Sequence, residues 1–329
     1  MKLLVTGAAG FIGSNFAQHA IDQGWFVINY DKLTYAGNPN NYKHLESHKR
    51  YQFVKGDVTN VQKFESICEA ISPDAVIHFA AESHVDRSLE DGSVFLKTNI
   101  LGTETVLNAV RKFKIPRMIH ISTDEVYGSL PEPLEAQEWR AFHPNSPYSV
   151  SKAAADMLCQ AHWESYRTPV IILRGSNAFG PSQFPEKLIP LSILNLLSGK
   201  KIGLYNDGSN VREWIQVSDF CRGIEIALLK APPGEIYNLG GGKENRVSNN
   251  RIAQELCDLL HLDVKERIEY IKDRAGHDQR YALDSDKLRQ LGWSPRYTIS
   301  EGLAGAIRWY RNHPNWFTNQ GVEQKIEPK

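Results

Sequence analysis

Val5-Thr6-Gly7-Ala8-Ala9-Gly10-Phe11-Ile12-Gly13-Ser14-Asn15 joins an apolar run, Lys2 to Thr6, to a segment from Asn15 to Ile21 with the apolar spacing of a helix. Strand, glycine-rich turn and helix form the unit on which a dinucleotide pyrophosphate rests. Gly7 lets the chain reverse, Gly10 lets backbone approach the phosphates, and Gly13 lets the helix pack closely on the strand. The spacing is G-x-x-G-x-x-G, one residue longer in its first gap than the commonest dinucleotide fingerprint, so the context has to decide. A second apolar run, Trp25 to Tyr30, ends at Asp31, about 20 residues on, where a carboxylate meets the adenosine ribose hydroxyls. An Asp there repels a 2′-phosphate and selects NAD over NADP.

The alternation continues outward from this unit. Tyr51 to Val54, Ala75 to Phe79, Arg117 to Ile121 and Val170 to Leu173 read as further buried strands separated by helical stretches. This is the pattern of an α/β fold, a doubly wound parallel Rossmann sheet with helices on both faces. Ligands in such sheets bind beyond the carboxyl ends of the strands. The polar ends Asp57-Val58, Ala80 to Ser83, Ser122 to Glu125 and Arg174 to Asn177 are therefore site candidates. Pro39 to Arg50 reads as a loop with a short helix.

After Gly180-Pro181 the pattern changes. Helices are expected over Leu191–Leu197, Val217–Leu229, Arg251–Leu260 and Gly302–Asn312, and strands over Trp214–Val217 and Ile236–Leu239. Gly199 to Gly208 reads as turns, and Asp273 to Asp278 as a polar loop. The expected organisation is a NAD-binding domain over 1–180, to which some later segments return, a smaller C-terminal substrate-binding domain over 181–317, and a frayed polar tail over 318–329.

Of 329 residues, 41 % are apolar and 23 % charged, which suits a packed core. Lys plus Arg equals Asp plus Glu at 38 each, a balance with no footprint for nucleic acid or an anionic membrane. No apolar run is long enough to cross a bilayer, and the first residues enter a strand rather than a signal peptide. Cys68, Cys159, Cys221 and Cys257 are far apart and form no Cys-x-x-Cys pair, so reduced buried thiols in the cytoplasm are expected, with no metal.

Tyr148-Ser149-Val150-Ser151-Lys152 puts a phenol and an ammonium on one helix face. A cation beside the phenol lowers its pKa, as does an oxidised nicotinamide, and the phenolate can then take a proton from a substrate hydroxyl. Ser122 or Thr123, at the end of the preceding strand, is the third candidate. Asp124 and Glu125 follow at once, two adjacent carboxyl groups that are costly to place together in a site. One can stay protonated as a general acid while the other serves as a base, the pairing that dehydration beside a ketone requires.

Together these motifs resemble the extended short-chain dehydrogenase/reductase family, and within it the nucleotide-sugar 4,6-dehydratases, the dTDP-glucose enzymes above all. The resemblance runs nearly end to end, through Asp31 to Asn38, His78 to Ser88, Ser122 to Gly128, Ser146 to Lys152, Phe184 to Pro190 and Asp273 to Ala282. It implies that Phe11, Ile12, Asp31, Lys32, Leu33, Thr34, Asp57, Val58, Phe79, Ala80, Ala81, Ser83 and Thr98 line the NAD site with the glycine turn, Tyr148, Lys152 and Asn177. It implies that Ser83, Thr123, Asn177, Lys187, Leu188, Arg212, Arg274 and His277 face the substrate. Lys187, Arg212 and Arg274 are the donors a diphosphate needs, and Tyr205 is placed to stack on a base. His84 reads equally as a substrate contact and as a structural hydrogen-bonder.

The implied chemistry oxidises the sugar at C4, removes the C5 proton with Glu125, expels the 6-hydroxyl with a proton from Asp124, and reduces C6 with the same electron pair. The product is a 4-keto-6-deoxy sugar. Gly203, Val247, Ala178, Phe179 and Ala275 depart from the family pattern, which leaves UDP-glucose, a UDP-N-acetylhexosamine and a 5,6-unsaturated product open beside dTDP-glucose. Two rivals share the fold: an NDP-sugar 4-epimerase, which needs no Asp-Glu pair, and a dinucleotide-sensing module, which needs neither Tyr148 nor Lys152. By the same resemblance the protein is a homodimer, its four-helix interface formed by Gly102 to Phe113 and Tyr148 to Tyr166.

Overall fold

The computed structural model describes residues 1–316; Phe317 and the tail expected over 318–329 lie outside the described residues. Strands β1 (Lys2–Thr6), β2 (Phe26–Asp31), β3 (Tyr51–Lys55), β4 (Ala75–His78), β5 (Met118–Thr123) and β6 (Val170–Gly175) are joined by helices. Three smaller-sheet strands follow: β7 (Asn177–Phe179), β8 (Ile202–Tyr205) and β9 (Val211–Gln216). Then come β10 (Ile236–Leu239), β11 (Arg246–Ser248) and β12 (Ile268–Ile271).

The main sheet has the order β10-β6-β5-β4-β1-β2-β3, with every pair parallel. The chain winds outward in both directions from β1 and β4, and a crevice opens at their carboxyl ends. Successive strand residues serve opposite faces. Leu3 and Val5 pack with Phe16, Ile119 and Phe220 on one face, while Leu4 packs with Phe64, Val106 and Met118 on the other. Both faces are dry, which is why these strands read as unbroken apolar runs. Burying a side chain such as Phe16 stabilises the fold by about 1.5–3 kcal/mol.

Beyond Gly175 two small sheets form, β11-β9-β7 and β12-β8, around a third core containing Ile193, Trp214, Leu256 and Leu303. Helix Val217–Lys230 and strand β10 rejoin the main sheet from this half of the chain. The expected turn over Gly199 to Gly208 instead holds β8. Its partner β12 lies far along the chain, so no local signal marks the pairing. The strand read over Trp214–Val217 runs from Val211 to Gln216, and Val217 opens the helix that follows.

Candidate active site

The glycine turn is as tight as its sequence requires. Gly7 has φ +74°, and a Cβ there would lie 2.6 Å from the Ala80 nitrogen. A Cβ on Gly13 would lie 2.4 Å from the Gly7 carbonyl oxygen, so the helix Phe11–Asp22 starts directly against the turn. Gly10 caps that helix without a side-chain cap, which leaves its first turn to the cavity. Asp31, 8 % exposed, accepts from the Ala9 amide at 2.9 Å and the Leu33 amide at 2.7 Å. Its carboxylate is thereby held beside the turn. Lys32 Nζ lies 2.8 Å from Asp57 Oδ2 across the same end.

One cavity of about 970 Å³ runs from these residues to the second half of the chain. All but two of the candidate site residues line it: Leu33 packs on the first core, and Arg174 is buried against Asp156 and Tyr127. The cavity wall carries buried polar atoms without a protein partner: Ser122 Oγ, Asp124 Oδ2, Ser176 Oγ, Asn177 Oδ1, Gln183 Oε1 and Arg274 Nε. Buried polar groups are normally hydrogen-bonded, so these are groups a ligand completes. The glycine cradle, the Asp31 carboxylate and the unpartnered Asn177 together fit NAD, with the pyrophosphate at the helix start and the ribose at Asp31.

Thr123 ends β5 and N-caps the short turn Asp124–Tyr127, accepting from the Glu125 amide at 3.2 Å. The Asp124 carboxyl is pushed well above the usual range by burial first and by the Glu125 charge second. Burial also raises Glu125, but the cations Lys187, Arg274 and Arg212 pull it back. Both carboxyls are thus raised, Asp124 the further, so Asp124 is the more readily protonated of the two.

Ser146 caps the helix Pro147–Tyr166 through a reciprocal box with Ser149, and Pro147 follows at its first position. This fixes Tyr148 in the first turn. Against the lowering expected from a neighbouring cation, burial, then the Glu125 charge, raise the phenol above its ordinary value, because Lys152 turns to the Ile121 carbonyl and only the hydrogen-bonded Thr123 hydroxyl opposes the rise. Lys152 Nζ donates to the Ile121 carbonyl at 2.6 Å, and burial pushes the ammonium down to about 8. Asp156, one turn further on, holds Lys152 up against that loss. Asp156 also accepts from Arg174 Nε at 2.7 Å, and His120 Nε2 lies 3.5 Å away.

Distant parts of the chain supply the cations, Arg212 from strand β9 and Lys187 and Arg274 from outside the strands and helices. Lys187 Nζ donates to the Ser83 carbonyl at 2.9 Å. Arg212 donates to the Asp278 carbonyl at 2.8 Å, its guanidinium 4.3 Å from the centre of the Tyr281 ring. Arg274 donates to Asp86 at 3.1 Å, and the Tyr205 hydroxyl reaches the same carboxylate at 3.4 Å. His277 packs edge-on to Tyr205 and pairs with Asp273 at 2.6 Å. Sequence reasoning gave no role to Asp86 or Tyr281; only their partners, brought from far along the chain, reveal one. His84 caps the helix Val85–Glu90 by accepting from the Arg87 amide, and it also lines the cavity.

Gly203 and Ala178 are the departures from the family pattern that line the cavity. A Cβ on Gly203 would meet only Ile271, at 3.5 Å. Phe179 and Val247 pack in the third core and Ala275 is exposed, so those three do not border the ligand space.

Fold and site together define an extended short-chain dehydrogenase/reductase with a nucleotide-sugar cavity. The family model described as GDP-mannose 4,6 dehydratase matches residues 4–305. A dTDP-glucose 4,6-dehydratase of Xanthomonas campestris pv. campestris is 45 % identical, over 97 % of this chain and 95 % of its own. One of Streptomyces griseus is 44 % identical, over 96 % and 95 %. The crystal structure of dTDP-glucose 4,6-dehydratase from Streptomyces venezuelae, with NAD and TDP bound, superposes with a TM-score of 0.92 at 43 % identity, covering 96 % of this chain and 98 % of that one. UDP-glucose 4-epimerase of Thermus thermophilus, in complex with NAD, gives 0.88 at 28 % identity, covering 94 % and 99 %. The chain belongs to the dTDP-glucose 4,6-dehydratase family.

Proposed function

We propose that this protein is an NAD-dependent nucleotide-sugar 4,6-dehydratase, a hydro-lyase that converts dTDP-glucose to dTDP-4-keto-6-deoxyglucose. Bound NAD supplies hydride removal at C4 and hydride return at C6. Tyr148 takes the 4-hydroxyl proton as C4 is oxidised, and Lys152, one helical turn on in the same helix, is the cation assigned to favour its phenolate. The C4 ketone acidifies C5–H, and Glu125 removes that proton. Asp124 protonates the 6-hydroxyl, which leaves as water. Glu125, after exchange with solvent, gives a proton back to C5 as C6 is reduced, and the proton Tyr148 took from the 4-hydroxyl replaces, through solvent, the one Asp124 gave to the departing water. Lys187, Arg212 and Arg274 neutralise the diphosphate, and Tyr205 faces the base.

The observation that carries this reading is the carboxyl pair on the cavity wall at the end of β5, Asp124 with an unpartnered oxygen and raised the further by burial, Glu125 raised less because three cations oppose its burial. A 4-epimerase has no step for either carboxyl to perform. The test is incubation of the purified protein with dTDP-glucose, UDP-glucose and UDP-N-acetylglucosamine without added NAD. A product absorbing in alkali as a 4-keto sugar, formed fastest from dTDP-glucose, is expected. An epimer, or unchanged nucleotide sugar, overturns the reading.

The helices Gly102–Lys112 and Pro147–Tyr166 pack side by side; Leu101, just before the first, is 60 % exposed, and Met157, on the second, is 61 % exposed. Val150, seven residues before Met157, shares its face. This apolar patch supports a homodimer through a four-helix interface. Among the described residues no helix is long and apolar enough to cross a membrane. The four buried, unpaired cysteines favour the reducing cytoplasm.

A further inference from the structure

The segment Lys32 to Arg50 between β2 and β3 contains only two short helical turns, Pro39–Asn41 and Lys43–Leu45. Its residues Lys32, Thr34, Ala36 and Gly37 nevertheless form the cavity wall beside Asp31, where the adenosine half of a dinucleotide belongs. A wall with so little structure of its own opens readily unless something distant holds it. Trp316, which is 7 % exposed, supplies that hold. Its indole Nε1 donates to Asn41 Oδ1 at 2.8 Å, and its carbonyl accepts from Asn40 Nδ2 at 2.8 Å and from Asn38 Nδ2 at 3.2 Å.

The asparagines pass the restraint to the glycine turn. Asn41 Nδ2 donates to the Ala9 carbonyl at 2.9 Å, and the Asn38 amide donates to the same oxygen at 3.0 Å. The Ala9 amide in turn donates to Asp31. Trp316 is anchored from behind by Trp309, edge-on at 5.2 Å, on the helix Ile299–Asn312, whose inner face packs in the third core. A residue fixed to the substrate-side core thus closes the cofactor-side wall across 275 positions of sequence.

We propose that Trp316 is a positioning residue for cofactor retention: its clasp on Asn38, Asn40 and Asn41 keeps the wall shut so that NAD stays bound from one turnover to the next. The need follows from the chemistry, because the electron pair removed at C4 must return at C6 before the dinucleotide leaves. The proposal rests on the reading of the cavity as a NAD site.

The test compares the full chain with Trp316→Ala and with Asn40→Ala, a milder change at a partly exposed residue. NAD and NADH are released by acid and by alkali and quantified per chain after prolonged dialysis, alongside circular dichroism. Trp316→Ala is expected to lose the dinucleotide about tenfold faster, and Asn40→Ala severalfold, as befits the loss of a few hydrogen bonds. Excess NAD is expected to restore the dehydration rate of both. Folded variants that retain as much dinucleotide as the wild type overturn the clasp; if Trp316→Ala does not fold, Asn40→Ala decides alone. The outcome is separable from that of the proposed function. A wild-type protein that holds NAD yet leaves every nucleotide sugar unchanged refutes the dehydratase reading and leaves the retention comparison intact.

Discussion

The Thr123 hydroxyl donates to Asp124 Oδ1 at 3.2 Å, while Oδ2 of the same carboxyl is buried on the cavity wall without a protein partner. A neutral carboxylic acid suits that setting, since its proton can point from Oδ2 into the cavity toward a leaving hydroxyl. Asp124→Asn keeps the shape and removes the acid. Water loss should slow by about 10²–10⁴-fold, while C5 exchange with solvent persists. Glu125→Gln should abolish deuterium incorporation at C5, read by mass spectrometry of product formed in heavy water. Wild-type incorporation in Glu125→Gln would remove Glu125 as the base.

Lys152 is pushed down to about 8, and Asp156 is the charge that keeps it from falling further. If the proposed role of a protonated Lys152 beside the Tyr148 phenolate holds, activity should decline as the pH rises through about 8. Asp156→Asn removes the supporting anion, and the alkaline limb should move to lower pH. The same change strands the buried Arg174 guanidinium and should destabilise the fold by about 3 kcal/mol in denaturant titration. An unmoved alkaline limb in a folded Asp156→Asn protein would count against the electrostatic link.

Gly13→Ala should cost both stability and cofactor. The added methyl meets Gly7 O at 2.4 Å and Ala8 Cα at 2.8 Å, both backbone atoms that cannot rotate away. A loss of about 1–3 kcal/mol is expected, with NAD content falling in parallel. Gly199→Ala serves as the comparison: its Cβ would meet nothing within 4 Å, although its φ of +76° is unfavourable, so it should lose stability without losing NAD.

Met157→Arg places a cation in the exposed apolar face of the helix Pro147–Tyr166. If that face is a dimer interface, the variant should elute as a monomer where the wild type elutes as a dimer. Analytical ultracentrifugation at several concentrations reads the outcome directly. A monomeric wild type, or a dimeric variant of wild-type affinity, argues against the four-helix interface.

Much of the site was legible because its parts are short and local. The glycine turn, Asp31 at the end of the next strand, Tyr148 and Lys152 one helical turn apart, and the adjacent Asp124 and Glu125 each lie within a few residues, where spacing alone sets geometry. Other residues carried no such signal. Asp86 is one polar residue among many until Arg274 and Tyr205 arrive at its carboxylate. The strand Ile202–Tyr205 looked like turns because its partner Ile268–Ile271 comes some sixty residues later. Leu33 sits within a motif expected to line the cofactor site, yet a φ of +60° and the neighbouring core take its side chain elsewhere.

The amino-acid sequence by itself determined the parallel sheet, the dinucleotide turn and the candidates for acid, base and phenol, since periodicity and residue chemistry act over one turn of helix or one strand. Only the tertiary structure decided which carboxyl is raised the further, which cations line the cavity beside Glu125, and how Trp316 reaches back to the loop beside the first strand. Burial and charge depend on what surrounds a group in space, and those surroundings are assembled from residues that no local pattern connects.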